Sequence, residues 1–469
     1  MPFRKSLREQ VRLVRERHLS PSELLEAHLR RIEFVNPSTN AFSSVFVHEA
    51  RIAARTSEMS GAAVGPLHGV PVTIKDSFDI VGHPTLSGSR LRLGHQATRD
   101  AFAVQSLRNA GAIILGKTNT PELLRSYETD NHITGRTNNP WDASRTPGGS
   151  SGGEAAAIAS CCSPGGIGSD GGGSIRVPAH FCGIAGLKPT PGRISVSGHF
   201  PAISHPGGFA SVVGPMARTV DDLKLLFQVL AEYNPEDPYS TPVVPAVRSS
   251  ASMPIGFWPS FYKVPVSIPV AAALEKAASL LSAMGHPVEL FQPKGSEMAP
   301  NVWRFVFSDL PAEFLSHYFR GREEETHWSA TEFGTTPRDP AVSGVDVLKQ
   351  FAARDRMRAG CIQQMLERDR TVLLMPVCGT TAFPHRQRSF ETADKAIGLF
   401  EAMMPSLVWN LYGFPALTVP MDISTDGLPV GIQLVGLPWT DEILLDIGHR
   451  LELARGPMPA PPALSQLTR

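Results

Sequence analysis

The segment Gly148-Gly-Ser-Ser-Gly-Gly-Glu-Ala-Ala-Ala-Ile-Ala-Ser160, followed at once by Cys-Cys-Ser-Pro and then Gly165-Gly-Ile-Gly-Ser-Asp-Gly-Gly-Gly-Ser-Ile-Arg-Val-Pro178, places two glycine-dense loops around a run of small residues. The alanine-rich run reads as a helix. Each loop presents a serine. Gly171 to Gly173 free the backbone to aim several N–H groups at one point. Acyl transfer needs such a cluster, because it stabilises the oxyanion of a tetrahedral intermediate. Ser174 follows directly, placed to attack a carbonyl whose oxygen sits in that cluster.

A serine hydroxyl needs a base before it becomes a useful nucleophile. Neither loop contains a histidine. A lysine can serve when burial favours its neutral form. Lys75 is the candidate, since it ends the apolar run Val70-Pro-Val-Thr-Ile-Lys75. Ser150 can then pass a proton between Ser174 and Lys75. The residues alone leave a plainer alternative open: glycine-rich turns with solvated serines, and an ordinary strand-end lysine.

Strand and helix signals alternate around this segment. Ser20-Pro-Ser-Glu23 opens a helix with a capping box, and Leu24, Leu25, His28, Leu29 and Ile32 continue it at helical spacing. Val70, Val72 and Ile74 read as a short strand. A helix from Asp100 to Ala110 precedes a buried strand, Ala112 to Leu115. Thr219 caps a helix bearing Leu223, Leu226, Phe227 and Leu230. Another helix covers Val270 to Met284. Phe414 to Pro420 and Leu428 to Leu434 read as core strands, and Asp441 to Glu452 as a final helix. This order predicts an α/β fold with a mostly parallel or mixed sheet. The Pro- and Ser-rich stretch Tyr233 to Ser252 reads as a surface connection within one domain, so 1–469 is expected to form a single domain. Roughly 295 to 400 reads as helical and aromatic-rich. No internal repeat is visible.

Two motif matches mislead. Gly111-Ala-Ile-Ile-Leu-Gly-Lys-Thr118 fits the phosphate-loop expression, which would make the chain an ATP-binding protein. A helix precedes Gly111, however, and the middle residues are a β-forming apolar run where a flexible loop is required. Gly148-Gly-Ser-Ser-Gly152 fits the nucleophile-elbow expression, but loop residues precede it where that turn needs a strand.

Composition sets the outer bounds. Of 469 residues 42% are hydrophobic and 19% charged, which suits a large packed core. Lys+Arg and Asp+Glu both number 44, so no basic excess points to nucleic acid or an anionic membrane. The five cysteines (Cys161, Cys162, Cys182, Cys361, Cys378) show no C-x-x-C pair, and they read as reduced thiols in a cytoplasmic protein. The N-terminus lacks an apolar signal region, and no run is long enough to span a membrane. No cofactor or metal is expected.

At these residues the sequence resembles the amidase signature family. His68-Gly-Val-Pro-Val-Thr-Ile-Lys-Asp76 is similar to its lysine motif. Gly116-Lys-Thr-Asn-Thr-Pro-Glu122 and Thr137-Asn-Asn-Pro-Trp-Asp142 lead into the Gly-Gly-Ser-Ser-Gly-Gly core. Phe181 to Arg193, Gly214 to Val220 and Gly427 to Gln433 also match, and only about 240 to 370 lacks a family pattern. The resemblance implies a Ser174–Ser150–Lys75 triad with a cis peptide bond between Gly149 and Ser150. It implies oxyanion donors at the N–H groups of Gly171, Gly172, Gly173 and Ser174, with Ser151, Asp170 and Arg176 supporting the loops. The implied fold is one α/β/α domain around a large mixed sheet. His68 and His180 are then structural, and Cys161, Cys162 and Cys182 are small buried hydrophobes.

The expected activity is amide hydrolysis through an acyl-enzyme, with esters, anilides and carbamates open to the same chemistry. One alternative is the glutaminase subunit of a tRNA-dependent amidotransferase. Those subunits carry an Asn-Met-Asp-Glu-Phe-like segment, where this chain has Asn119-Thr-Pro-Glu-Leu-Leu124. A non-catalytic relative is the other alternative, and the complete triad argues against it. Beside the signature core of 65–220, the variable segment of about 295–400 is expected to form one wall or lid of the acyl pocket, and Trp303, Phe307, Phe314, Tyr318, Met403, Met404 and Trp409 suggest a roomy apolar site, hence bulky apolar or aromatic substrates. The protein is expected to act as a monomer or homodimer.

Overall fold

The computed structural model describes residues 1–60, 63–204, 208–243 and 250–462. Thirteen strands are seen among them: β1 (Phe42–Val45), β2 (Pro71–Lys75), β3 (Ile113–Thr118), β4 (Gly165–Asp170), β5 (Ala185–Lys188), β6 (Val212–Ala217), β7 (Ile255–Phe257), β8 (Val288–Leu290), β9 (Val372–Pro376), β10 (Ser389–Glu391), β11 (Ala396–Gly398), β12 (Ala416–Ile423) and β13 (Pro429–Gly436). Eleven join one sheet in the order β1-β3-β2-β4-β6-β5-β12-β13-β9-β7-β8, and β10 and β11 form a separate hairpin. Parallel pairing holds in β3-β2-β4 and β9-β7-β8; the remaining pairs are antiparallel. The sheet is therefore mixed, as expected.

Helices cover both faces, so β2 to β6, β9 and β13 are buried at every residue. Leu374 of β9 joins one cluster with Leu226, Leu274 and Leu444, from helices Val220–Leu230, Ile268–Ala283 and Asp441–Arg455. Its neighbours Leu373 and Met375 point the other way and pack on Val408 and Trp409 of helix Leu399–Tyr412. The two-residue period of a strand produces that division.

Most sequence expectations hold within a few residues. Helix Pro21–Thr39 starts on the capping box of Ser20 and Glu23. The strand expected over Ala112 to Leu115 runs on to Thr118, so the phosphate-loop match lies inside β3. Lys117 is buried there and bonds Pro84 O, Thr85 Oγ1 and Asp76, a structural role that leaves no phosphate cradle. The expectation of a helical 295–400 needs correction. It holds the buried strand β9, an interior strand between β13 and β7, as well as β10 and β11. A five-residue apolar run has no period to separate strand from helix, and its pairing with β13 decides. The surface connection read over 233–252 falls partly outside the described residues; its described part contains turns only.

Candidate functional site

Two neighbouring parallel strands end at the site. Lys75 closes β2 and Asp170 closes β4, with Ile74 opposite Ile167. Crevices at the carboxyl ends of such strands are where open α/β sheets bind ligands. Helix Gly152–Ala159 lies close on these strands. A Cβ on Gly166 would stand 2.2 Å from both Glu154 Oε1 and Thr73 O, so only glycine permits that approach.

Lys75 is fully buried. Its Nζ donates to Ser150 Oγ at 2.8 Å and to Ser169 Oγ at 3.0 Å. Burial pulls its pKa down to about 7, against the opposing pull of Asp170 and Glu154. The Gly149–Ser150 peptide bond is cis. Ser151 N–H donates to Ser174 O at 3.1 Å, tying the two serine loops together. Ser174 is half-buried and lines the same cavity as Ser150 and Ser169.

Asp170 and Arg176 organise the second loop. Both are completely buried and form an ion pair, Nε to Oδ2 at 3.0 Å and Nη2 to Oδ1 at 3.0 Å. Burial alone would raise the Asp170 pKa, but Arg176 overrides it and holds the carboxyl well below the usual range. Asp170 also accepts from the N–H groups of Gly173 (2.7 Å) and Ile175 (3.1 Å). Gly173 is thus the exception among the four amides picked out in the sequence, because its N–H is already engaged. The N–H groups of Gly171, Gly172 and Ser174 make no hydrogen bond among the described residues.

The cavity beside Ser174 has a volume of about 850 Å³, within the usual range for small-molecule sites. One wall comes from 303–333, including Trp303, Phe307, Phe314, Tyr318 and Phe333; the other includes Leu123, Phe200 and Ile203. Among the described residues nothing from 334–400 lines it. Met403, Met404 and Trp409 are a correction, since they do not line it either. Trp409 packs on Trp258 and donates to Met375 Sδ in the core, and Met403 is fully buried. They read as pocket residues only because composition cannot tell a pocket aromatic from a core one.

Sequence reasoning passed over several participants. Ser169 lies within the quoted segment, and its contact with Lys75 follows from its strand-end position. Glu154 accepts from Thr73 Oγ1 (2.5 Å) and Thr118 Oγ1 (2.7 Å), and burial raises it to about 7. Asn410 donates to Asp170 Oδ1 at 2.9 Å and accepts from Arg176, while Gln433 accepts from Arg176 at 3.0 Å. Asn410 lies far from the signature in sequence and gave no local signal. His180 is structural: Gly431 N–H donates to its Nδ1 and its Nε2 donates to Thr380 O. His68 accepts from Val64 N–H. All five cysteines are buried and unpaired.

Comparison with known proteins agrees with this architecture. A family model described as "Amidase" matches residues 23–445. A Mycobacterium tuberculosis protein named "Putative amidase AmiB2" is 36% identical over 95% of each chain. A glutamyl-tRNA(Gln) amidotransferase subunit from Chloroflexus aggregans is 35% identical over 92% of each chain. The solved structure of a 6-aminohexanoate cyclic dimer hydrolase in complex with its substrate superposes with a TM-score of 0.87 at 28% identity, covering 99% of this chain and 100% of that one. A bacterial aryl acylamidase of the amidase signature family gives 0.84 at 27%, covering 96% of both. With its mixed eleven-stranded sheet and a family match over nearly its whole length, the chain belongs to the amidase signature family.

Proposed function

We propose that this enzyme cleaves C–N bonds of amides through an acyl-enzyme on Ser174. The observation that carries the proposal is the buried Lys75 Nζ, held 2.8 Å from Ser150 Oγ beside the cavity that Ser174 lines. With a pKa near 7, Lys75 is substantially neutral at neutral pH and can accept a proton. Ser150 gives its proton to Lys75 and takes the proton of Ser174 Oγ. Ser174 Oγ bonds to the carbonyl carbon, and the oxygen gains the negative charge. The free N–H groups of Gly171, Gly172 and Ser174 supply donors for that oxyanion. Collapse breaks the C–N bond, and the leaving amine receives the Lys75 proton by way of Ser150. Water then attacks the acyl-enzyme by the same relay and releases the acid. Gly173, Ser151, Asp170 and Arg176 hold the loops in shape.

The apolar lining supports bulky apolar or aromatic amides and anilides as substrates, with esters and carbamates open to the same intermediate. The aryl acylamidase relative is consistent with this class. The test is a panel of 4-nitroanilides, fatty amides, aryl esters, carbamates and glutamine, with Ser174→Ala as control. Turnover of apolar anilides or amides that Ser174→Ala abolishes supports the proposal; full activity in that variant sinks it.

The amidotransferase relatives favour a second reading, a glutaminase subunit working within a complex. Free glutamine brings an ammonium that needs an acidic partner. Among the described residues, Asp170 is the sole carboxylate lining the cavity, and Arg176 already holds it. Glutamine turnover in the panel, or a partner complex recovered by pull-down, would move the assignment to this reading.

A further inference from the structure

The oxyanion loop is held from the substrate side. Trp303 Nε1 donates to Gly171 O at 2.7 Å, and Tyr127 Oη donates to Gly172 O at 2.6 Å. Both side chains are 4% exposed. Trp303 stacks on Phe307, with ring centroids 4.9 Å apart and planes 19° apart, and the indole lies against the loop so closely that a Cβ on Gly172 would stand 2.5 Å from Trp303 Cζ2.

The two bonds are not equivalent. In a trans peptide the C=O and N–H lie in one plane and point in opposite directions. The Gly172–Gly173 peptide is anchored at both ends, by Tyr127 on its carbonyl and by Asp170 Oδ1 on its N–H. The Gly171–Gly172 peptide is anchored only by Trp303 on its carbonyl; its N–H makes no bond among the described residues. The direction of the Gly172 N–H is therefore set by the indole. Trp303 lies near the end of the short helix Ala299–Arg304, just before the segment that supplies Val306 and Phe307 to the cavity wall.

We infer that Trp303 is a positioning residue for the oxyanion hole, so that the apolar wall shaping the acyl pocket also aims the Gly172 amide. The inference rests on the reading of Ser174 as nucleophile. Trp303→Phe keeps an aromatic ring and deletes the donor. Its kcat on a 4-nitroanilide is expected to fall about tenfold, one step short of deleting an oxyanion donor outright. KM should stay within about twofold. Affinity for a phenylalkyl trifluoromethyl ketone, which adds to Ser174 Oγ as a tetrahedral oxyanion, should fall by the same factor as kcat. Tyr127→Phe should cost clearly less, because Asp170 still anchors its peptide. Trp303→3-benzothienylalanine, nearly isosteric and lacking only the N–H, covers the case in which Trp303→Phe fails to fold, and it should reproduce the loss. An unchanged kcat in that variant, a loss confined to KM with ketone affinity unmoved, or an equal loss in Tyr127→Phe overturns the inference. Ser174→Ala separates the two readings: if it retains turnover, the nucleophile assignment fails; if it is dead while the Trp303 variants are normal, only the positioning role fails.

Discussion

Ser150 and Phe314 line the same cavity, yet one is 1% exposed and the other 77%. Around Ser150 lie polar groups sealed from water: Lys75, Asp170 and Arg176 are all completely buried and tied to named partners. In that dry setting each hydrogen bond is strong and an unpaired group is expensive, so the network tolerates little change. Around Phe314 the lining is apolar and partly open. Apolar contact is non-directional, so such a wall can vary without disturbing the chemistry beneath it. Polar and apolar halves thus divide the labour under the proposed mechanism, with reaction type on one side and substrate choice on the other. Trp303 is where they touch.

Substitutions on the two sides should therefore fail in different ways. Ser174→Ala and Lys75→Ala are expected to lower kcat/KM about 10⁴-fold or more while leaving the cavity intact; anilide kinetics check this, and near-normal activity in either would dissolve the contrast. Asp170→Asn leaves the buried Arg176 without its counter-charge. Denaturant unfolding should show a loss of about 3–5 kcal/mol, the usual range for breaking a buried pair from one side.

The next test is pH. Lys75 must be neutral to act as base, and its pKa lies near 7. The kcat/KM profile should rise about tenfold per pH unit below that point and level off above it. Glu154 favours the charged form of Lys75. Glu154→Gln removes that support, so the acidic limb should move to lower pH; a limb that moves up, or stays, argues against Lys75 as the titrating base. The smallest effect belongs to the apolar wall. Phe314→Ala, at a largely exposed site, should raise KM for a long apolar amide about two- to fivefold and leave an acetanilide unaffected. A large kcat effect there would break the division.

Much of the polar half was legible in the sequence. Glycine loops, a strand-end lysine and two serines are local signals, each tied to backbone freedom or to burial within a few residues. The alternation of capped helices and apolar strands carried the fold class for the same reason. Tertiary structure alone decided which aromatics face the cavity. Trp303 and Trp409 look alike in sequence, but one bonds the glycine loop beside Ser174 and the other a core methionine. It also recruited Asn410 and Gln433 to Arg176 from far along the chain, and turned 372–376 into an interior strand of the sheet. Local chemistry is written in neighbouring residues, whereas the pairing of distant strands and the choice between pocket and core depend on contacts that no short stretch contains.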